Sequence, residues 1–497
     1  MNSRTDTRPL WHLMSYALAS GPAIQRIRYA TLGACAGGAL ALGGCALHAP
    51  PATVAAASPL RWYAGSTVQL PHDGKLTDLS RWWQQQGDLL LVELIDAAQA
   101  VSPSIASART RIEQARAGSV AAGAALGPTL DGTLSASRSS AQPPLPMGTV
   151  AQGALQASWE IDLFGGRRAG RNAAQAQFEG AQAGWHDARV SIAAEVANQY
   201  YDLRACEKLL AILRSDATSR SETARLSQLS ANAGFLAPAS AALARASAAE
   251  GNSRATQQQA SCDLSVKALV ALTALAEPEL RRRLAEAPGD FPQAASIVIS
   301  SLPAQTLAQR PDVFAAEREV AAASASVGSV QAQRYPRLSL SGSVGAASFR
   351  TGGTNTQLTT WSIGPLALTL PIFDGGVRAA NVDAARARYE EAAASYRSSV
   401  RQAVREVEQA LVILNSTASR NDDALIAVEG FRVSFESTEA RYQNGLVSLV
   451  ELEEVRRTRL AAEIALVTLQ RERMGGWISL YRAAGGGWSS SAPAAQP

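Results

Sequence analysis

Leu155-Gln156-Ala157-Ser158-Trp159-Glu160-Ile161-Asp162, followed after Leu163-Phe164 by Gly165-Gly166, is where the chain changes its period. Leu155, Ala157, Trp159 and Ile161 alternate with Gln156, Ser158, Glu160 and Asp162, the two-residue period of a strand with unlike faces. Beyond the glycines, Phe178, Ala181, Trp185, Ala188 and Ile192 recur at steps of three and four, a coiled-coil stripe. A strand therefore feeds directly into a long helix. Upstream, a helix is expected from about Pro103 to Leu126, with Pro128 as its stop. Thr129 to Ser140 alternates small or apolar residues with polar ones, and Gln142 to Pro146 reads as a loop.

The second half repeats this order. At an offset of 208, Pro103, Ile105, Ala108, Ile112, Pro128 and Leu130 face Pro311, Val313, Ala316, Val320, Pro336 and Leu338. At an offset of 211, Phe178, Glu179, Trp185, Glu195, Val196 and Gly234 face Tyr389, Glu390, Tyr396, Glu406, Val407 and Gly445. Alanine matches come cheaply in so alanine-rich a chain, but paired Pro, Gly, Glu and aromatic positions do not, so we read an internal duplication. Pro311 suits the first turn of a helix that Pro336 ends. Leu338, Leu340, Gly342 and Val344 then alternate with serines, Thr351 to Asn355 is a loop, and a strand is expected around Trp361 to Leu370. Helices follow to Tyr481. The expected division is 1–44 signal peptide, 45–100 anchor and equatorial segment, 101–300 and 301–484 the two repeats (helix, two strands, helical hairpin), and 485–497 a disordered tail.

The N-terminus reads as an export signal. Arg26 and Arg28 precede a weakly apolar stretch ending in Leu42-Gly43-Gly44-Cys45, a lipoprotein box with Cys45 as the lipidated residue. Leu32-Gly33-Ala34-Cys35 fits almost as well, with less hydrophobic run before it; an ordinary signal peptide is the bland alternative. Ala46 after the cysteine is compatible with sorting to the outer membrane.

No stretch of about 18 strongly apolar residues follows, so no spanning helix is expected. The strands, by contrast, have about the length a tilted strand needs to cross a bilayer, and they alternate as a barrel with a lipid face and a wet lumen must. Four strands in lipid would leave edge groups unsatisfied, each costing several kcal/mol. Three copies closing a twelve-stranded barrel are the natural solution; soluble hairpins packed on helices are the alternative. Both sets of helices then project to the periplasmic side. A turn expected near Arg204 to Ser215 gives a rod of roughly 65 Å, one stave of a helical tunnel. That turn would put Cys206 near the tip and Cys262 far back on the returning helix, beyond the ~7 Å limit between Cα atoms. Two free thiols are therefore expected.

Chemistry is sparse. His12, His48, His72 and His186 are scattered without metal-ligand spacing, and neither a phosphate-binding loop nor a nucleophile elbow is present, so no enzyme and no cofactor beyond the lipid on Cys45 is expected. The net charge of +4, with only Lys75, Lys208 and Lys267 as lysines, gives no support to nucleic-acid binding. Glu451, Glu453 and Glu454 read as solvated positions on a helix surface.

Several motifs together resemble one family: Trp82-Trp83, Gln309-Arg310-Pro311-Asp312-Val313, Leu370-Pro371-Ile372-Phe373-Asp374-Gly375-Gly376, Arg441-Tyr442-Gln443-Asn444-Gly445, and Leu480-Tyr481-Arg482-Ala483-Ala484-Gly485-Gly486-Gly487-Trp488. The chain resembles the TolC-like outer-membrane efflux factors, in particular the OprM/NodT lipoprotein subgroup. The resemblance implies an α+β membrane protein forming a homotrimer, with a twelve-stranded barrel among outer-membrane lipids and a periplasmic α-helical barrel. It also implies a periplasmic adaptor and an inner-membrane RND-type pump as partners, and small molecules such as drugs as cargo. A duct for type I protein secretion shares the architecture, and a non-conducting coiled-coil scaffold is a third reading. Members narrow at the periplasmic tips, which repeat spacing puts near Tyr200 to Ser215 and Leu411 to Asp423. Asp422 and Asp423 are the candidate gate carboxylates, with Arg420, Tyr201, Asp202 and Arg204 as latch partners; charges on an exposed helix turn are the simpler explanation. In the first repeat Ala231 to Phe235 stands where the second has Arg441 to Gly445, and a helix break is expected at both.

Overall fold

A computed structural model of the chain describes residues 48–59, 62–63, 82–85, 87–140, 147–287, 289, 291, 307 and 310–488. Cys45 and the rest of the signal segment lie outside these residues. The first half contains α1 (Trp82–Gln85), α2 (Leu89–Val101), α3 (Pro103–Ala124), β1 (Thr129–Ser139), β2 (Gly148–Ile161), α4 (Gly166–Asn232), α5 (Pro238–Thr273) and α6 (Glu277–Glu286). The second contains α7 (Pro311–Ala332), β3 (Arg337–Thr351), β4 (Thr354–Thr369), α8 (Val377–Gln443) and α9 (Leu449–Ala483). The helices that flank the strands have matching lengths in the two halves, 22, 67 and 36 residues against 22, 67 and 35.

Local chemistry fixes the boundaries. Asp88 caps α2 by accepting the Leu91 N–H at 3.1 Å, and Ser102 caps α3 with Pro103 at its first position. At the strand-to-helix corners an aspartate holds each long helix's first turn. Asp162 accepts the Arg167 and Arg168 N–H groups, and Asp374 accepts those of Gly376 and Arg378.

The strands form one antiparallel sheet in the order β1-β2-β3-β4. β3 and β4 are longer than their sequence pattern suggests, because the expected loop shrinks to a tight turn at Gly352-Gly353. The register sorts the side chains, since paired residues share a face. One face carries Leu130, Leu134, Leu155, Ala157, Trp159, Leu338, Leu340, Val344, Trp361, Ile363 and Leu366. The other carries Thr129, Thr133, Gln152, Gln156, Ser158, Ser339, Ser343, Ser362 and Thr360. Hydroxyls pair across strands on this polar face, Thr129 with Ser158 and Ser343 with Ser362, each at 2.9 Å. On the apolar face Leu134, Trp361 and Ile363 are 93%, 75% and 84% exposed, which water alone would not tolerate in one patch.

α4 and α8 run the length of the helical part, each about 100 Å at 1.5 Å per residue. Their sheet-side halves pack with α3 and α7, and their far halves with α5 and α9. A central belt holds the main core. Trp82 and Trp83 pack on Tyr481, Leu91 and Leu94 are fully buried, and Tyr200, Leu203, Leu269, Leu280, Leu414 and Trp477 complete the cluster. Arg310 is buried there, bonded to Asp312, to Glu406 at 2.8 Å and to the Ala483 carbonyl at 3.2 Å. Thus residues from the Trp-Trp, Arg-Pro-Asp and C-terminal motifs meet in one place.

Two expectations are overturned here. No turn occurs between Arg204 and Ser215. That stretch has no Gly or Pro and continues inside α4, so the hairpin is longer than the roughly 65 Å expected. The chain reverses instead between Asn232 and Pro238 and between Gln443 and Leu449. Cys206 and Cys262 are consequently disulfide-bonded, with Cα atoms 5.5 Å apart. Gly234 is the midpoint of the 56-residue separation between them, so an antiparallel hairpin turning there brings the two cysteines level.

Candidate functional site at the helix tips

Both hairpins turn in the same way. Gly234 and Gly445 adopt φ of +79° and +70°, a conformation in which a Cβ would clash with the carbonyl. The following residue then closes the turn: the Phe235 N–H donates to Ser230 O, and the Leu446 N–H to Arg441 O, both at 2.9 Å. Phe235 and Leu446 are left exposed, 87% and 70%. Ser448 caps α9 through the Glu451 N–H, and Pro238 opens α5. The helix breaks expected at both motifs are observed.

Above the turns, four helices meet through buried charge. Arg220 of α4 donates to Asp216 at 2.8 Å and to Ser247 of α5 at 2.6 Å, and pairs with Glu453 of α9. Glu453 also pairs with Arg456, which is fully buried and donates to Ser219 and Thr223 of α4 at 3.1 Å each. Glu439 of α8 lies 3.8 Å from Arg456 and accepts from Ser219 at 3.2 Å. Arg459 stacks over Phe435 of α8 at 4.0 Å. Gly251 on α5 makes room for the network: a Cβ there would lie 2.9 Å from Arg220 Cδ.

Burial pushes the Arg456 pKa down; Glu453 opposes this and neighbouring Arg220 adds to it. The set is not fully satisfied, since Asp216 Oδ1, Arg456 Nε and Arg459 Nε are buried without a partner. Such a cluster stabilises less than apolar packing of the same volume, yet losing one member strands the others. Glu453, expected on a solvated surface, is instead the centre of the site. Only a mid-helix charge pattern is visible in the sequence, and that does not reveal which face is covered.

The candidate gate residues sit elsewhere. Tyr201 and Arg204 are buried in the central belt, Arg204 bonded to Glu207 and to the Leu284 carbonyl. Asp202 pairs with Arg471, and Arg420 with Glu472 at 2.7 Å, so these two meet adjacent residues of α9. Asp422 and Asp423 are exposed on α8, about 35 Å from the Gly445 turn. Asp422 accepts from its neighbour Asn421 at 3.2 Å. The structure therefore brings Asp202 and Arg420 to one level of α9, with Tyr201 and Arg204 inside the core, and none of the six at the tips. Among the described residues no group of three or more His, Cys, Asp or Glu is placed to hold a metal ion.

Residues 94–275 and 302–486 match the model of the outer membrane efflux protein family. The chain belongs to that family. It is 29% identical over 469 residues to the pyoverdine export outer membrane protein OpmQ of Pseudomonas aeruginosa, covering 91% of this chain and 96% of that one. It is 27% identical over 460 residues to nodulation protein T of Rhizobium leguminosarum, covering 91% and 92%. Among solved structures, the outer-membrane channel OprN superposes with a TM-score of 0.79 at 27% identity, covering 88% of this chain and 99% of that one. This outer membrane efflux protein is thus an OprM/NodT-type, TolC-like channel component of the outer membrane, mostly helical with a four-stranded sheet.

Proposed function

We propose that this efflux protein is the outer-membrane duct of a tripartite system and passes small molecules outward passively. The observation that carries the reading is the sheet, with an apolar face, a polar face and two unpaired edges at β1 and β4. In lipid such edges cost several kcal/mol per unsatisfied group, which closure removes. Three copies would close a twelve-stranded barrel with the polar face inside. The two halves are read as structural repeats, so six long helices would continue the barrel as a periplasmic tunnel. The lipid on Cys45 would anchor the N-terminus, and a periplasmic adaptor and an RND-type pump would be the partners, as expected of a relative of pyoverdine exporters. The buried Arg220–Glu453–Arg456 set is the proposed lock holding the two hairpins together near the tips. Asp422 and Asp423 are proposed as an acidic band higher in the tunnel. The test is oligomeric mass together with single-channel conductance of the purified protein in a planar bilayer. A trimer with discrete openings is expected; a monomer without conductance would sink the reading.

A further inference from the structure

Away from their helix-side ends, the two strand hairpins are free of carboxylates. From Gly132 to Trp159 and from Leu338 to Phe373 there is no Asp or Glu, and Arg138 and Arg350 are the only charged residues. Both arginines are register partners of Thr149, so Arg138, Thr149 and Arg350 stand side by side on three adjacent strands. Asn355, the partner of Arg350 on β4, extends the row. Adjacent strands lie about 4.8 Å apart, which puts the two arginine backbones about 10 Å from each other.

The row belongs to the apolar face, continuing the columns Leu130–Leu134, Leu155–Trp159 and Leu340–Val344. Both arginines are exposed and, among the described residues, neither has a carboxylate within ion-pair distance. Among the described residues Arg138 Nε contacts Met147 Sδ at 3.2 Å, and Asn355 Oδ1 accepts from Ser348 at 2.8 Å, leaving its amide N–H groups to donate.

Depth supplies the ligand. From Ile161, at the helix side, to Thr149 is about 40 Å of strand, or about 30 Å along the membrane normal for a strand tilted by ~40°. The apolar band of an outer-membrane barrel is ~25 Å tall. The row therefore lies just beyond the far edge of that band, at the headgroups of the outer leaflet, which in this membrane is a phosphorylated glycolipid. Guanidinium groups bind phosphate through paired N–H donors, and no acid in this part of the hairpins competes for them. We propose that Arg138 and Arg350, with Thr149 and Asn355 between and beside them, form a binding site for the phosphate groups of outer-leaflet lipopolysaccharide. The site rests on the sheet being the membrane wall.

The test titrates the full-length protein in detergent with rough lipopolysaccharide, with the same lipid enzymatically dephosphorylated, and with inorganic phosphate. Phosphorylated lipid should bind about tenfold more tightly than dephosphorylated, and inorganic phosphate should not compete at micromolar concentration. The pair R138Q/R350Q should erase that ratio, R138K/R350K should keep part of it, and R337Q, a charge loss on the opposite face, should keep all of it. Discrimination surviving in R138Q/R350Q, equal loss in R337Q, or micromolar competition by phosphate would overturn the site. In vesicles, quenching of Trp361 fluorescence by brominated acyl chains, measured against Trp361→Phe, tests the membrane wall independently. Absence of quenching removes both readings; quenching with an unchanged lipid ratio in R138Q/R350Q removes only the lipid site.

Discussion

Replacing Glu453 by Gln should loosen the tips. Among the described residues Glu453 is the one carboxylate paired with both Arg220 and Arg456, and these arginines are 7% and 0% exposed. The amide would keep the shape and remove the charge, leaving Asp216 as the counter-charge of Arg220 and Glu439, 3.8 Å away, as that of Arg456. Breaking a buried pair costs about 3–5 kcal/mol, and the surviving carboxylates favour the lower end. If that ~3 kcal/mol belongs only to the closed tips, the closed-to-open ratio falls roughly 150-fold. Single-channel recording reads this as a steep rise in open probability. A second variant separates locking from folding: D216L/R220M/E453L/R456M replaces these four members with apolar side chains, leaves the half-buried Glu439 to solvent, and should close again, since a packed apolar substitute is neutral or stabilising. An E453Q protein that melts lower yet opens no more often than the wild type would show that the set does not lock the tips. Unchanged melting and unchanged opening would refute the lock equally.

The Cys206–Cys262 bond should leave no thiol for maleimide in the denatured, unreduced mature protein, and two after reduction; labelling without reductant would contradict the hairpin register. Cys206→Ser should lower stability by about 2–4 kcal/mol, read by chemical denaturation. Gly251→Leu should push α5 off α4 at Arg220, costing about 1–3 kcal/mol and raising open probability; a silent variant would show that the helices do not meet there. Asp187 is held above its ordinary pKa of 3.8, chiefly by burial and then by the Asp312 carboxylate. The folded state thus binds that proton more tightly than the unfolded chain, so ionised Asp187 costs stability above its raised pKa and the cost disappears below the unfolded value. Asp187→Asn should therefore melt higher than wild type at about pH 8, with the difference fading toward about pH 4; an equal melting temperature at both would refute this.

Where the chain alternates in steps of two, the sequence is directly legible, because a sheet with one polar face repeats the pattern residue by residue. Leu155, Trp159, Leu340 and Val344 fall on one face as their spacing requires. The helices are harder. Period alone does not say where a 67-residue helix ends, and repeat spacing places the tip some 30 residues too early in α4. Only the left-handed glycines mark the turn, and a helix break at Gly234 or Gly445 does not by itself say that the break is the tip. The cysteines hold the missing constraint, since Gly234 bisects them. Glu453 and Arg456 are not legible at all. Their meaning depends on Arg220, 233 residues from Glu453, being covered by the same helix contact.

If the proposed duct opens at its tips, the two cores explain how it does so at one end without unfolding. The belt joins Trp82, Trp83, Leu91, Tyr200, Leu269, Trp477 and Tyr481 from five helices in one large apolar cluster. Near the tips the buried apolar cluster is smaller, Ala224, Ala244, Ala248, Phe435, Leu449 and Leu452 with Tyr442 and Val455 packed against it, and charge fills the remaining space. Apolar burial stabilises in proportion to the area removed from water, so the small tip cluster holds its helices together less strongly than the belt does. Local opening free energy should therefore be lowest beyond Asp216 and Glu453, where few apolar contacts hold α4 and α5 to α8 and α9. Hydrogen exchange should be faster in the turn-side ends of these helices than in the belt, and E453Q should speed it there while leaving the belt unchanged. If E453Q accelerated exchange in the belt as well, the tips and the belt would be one cooperative unit, and opening could not be confined to the end of the tunnel.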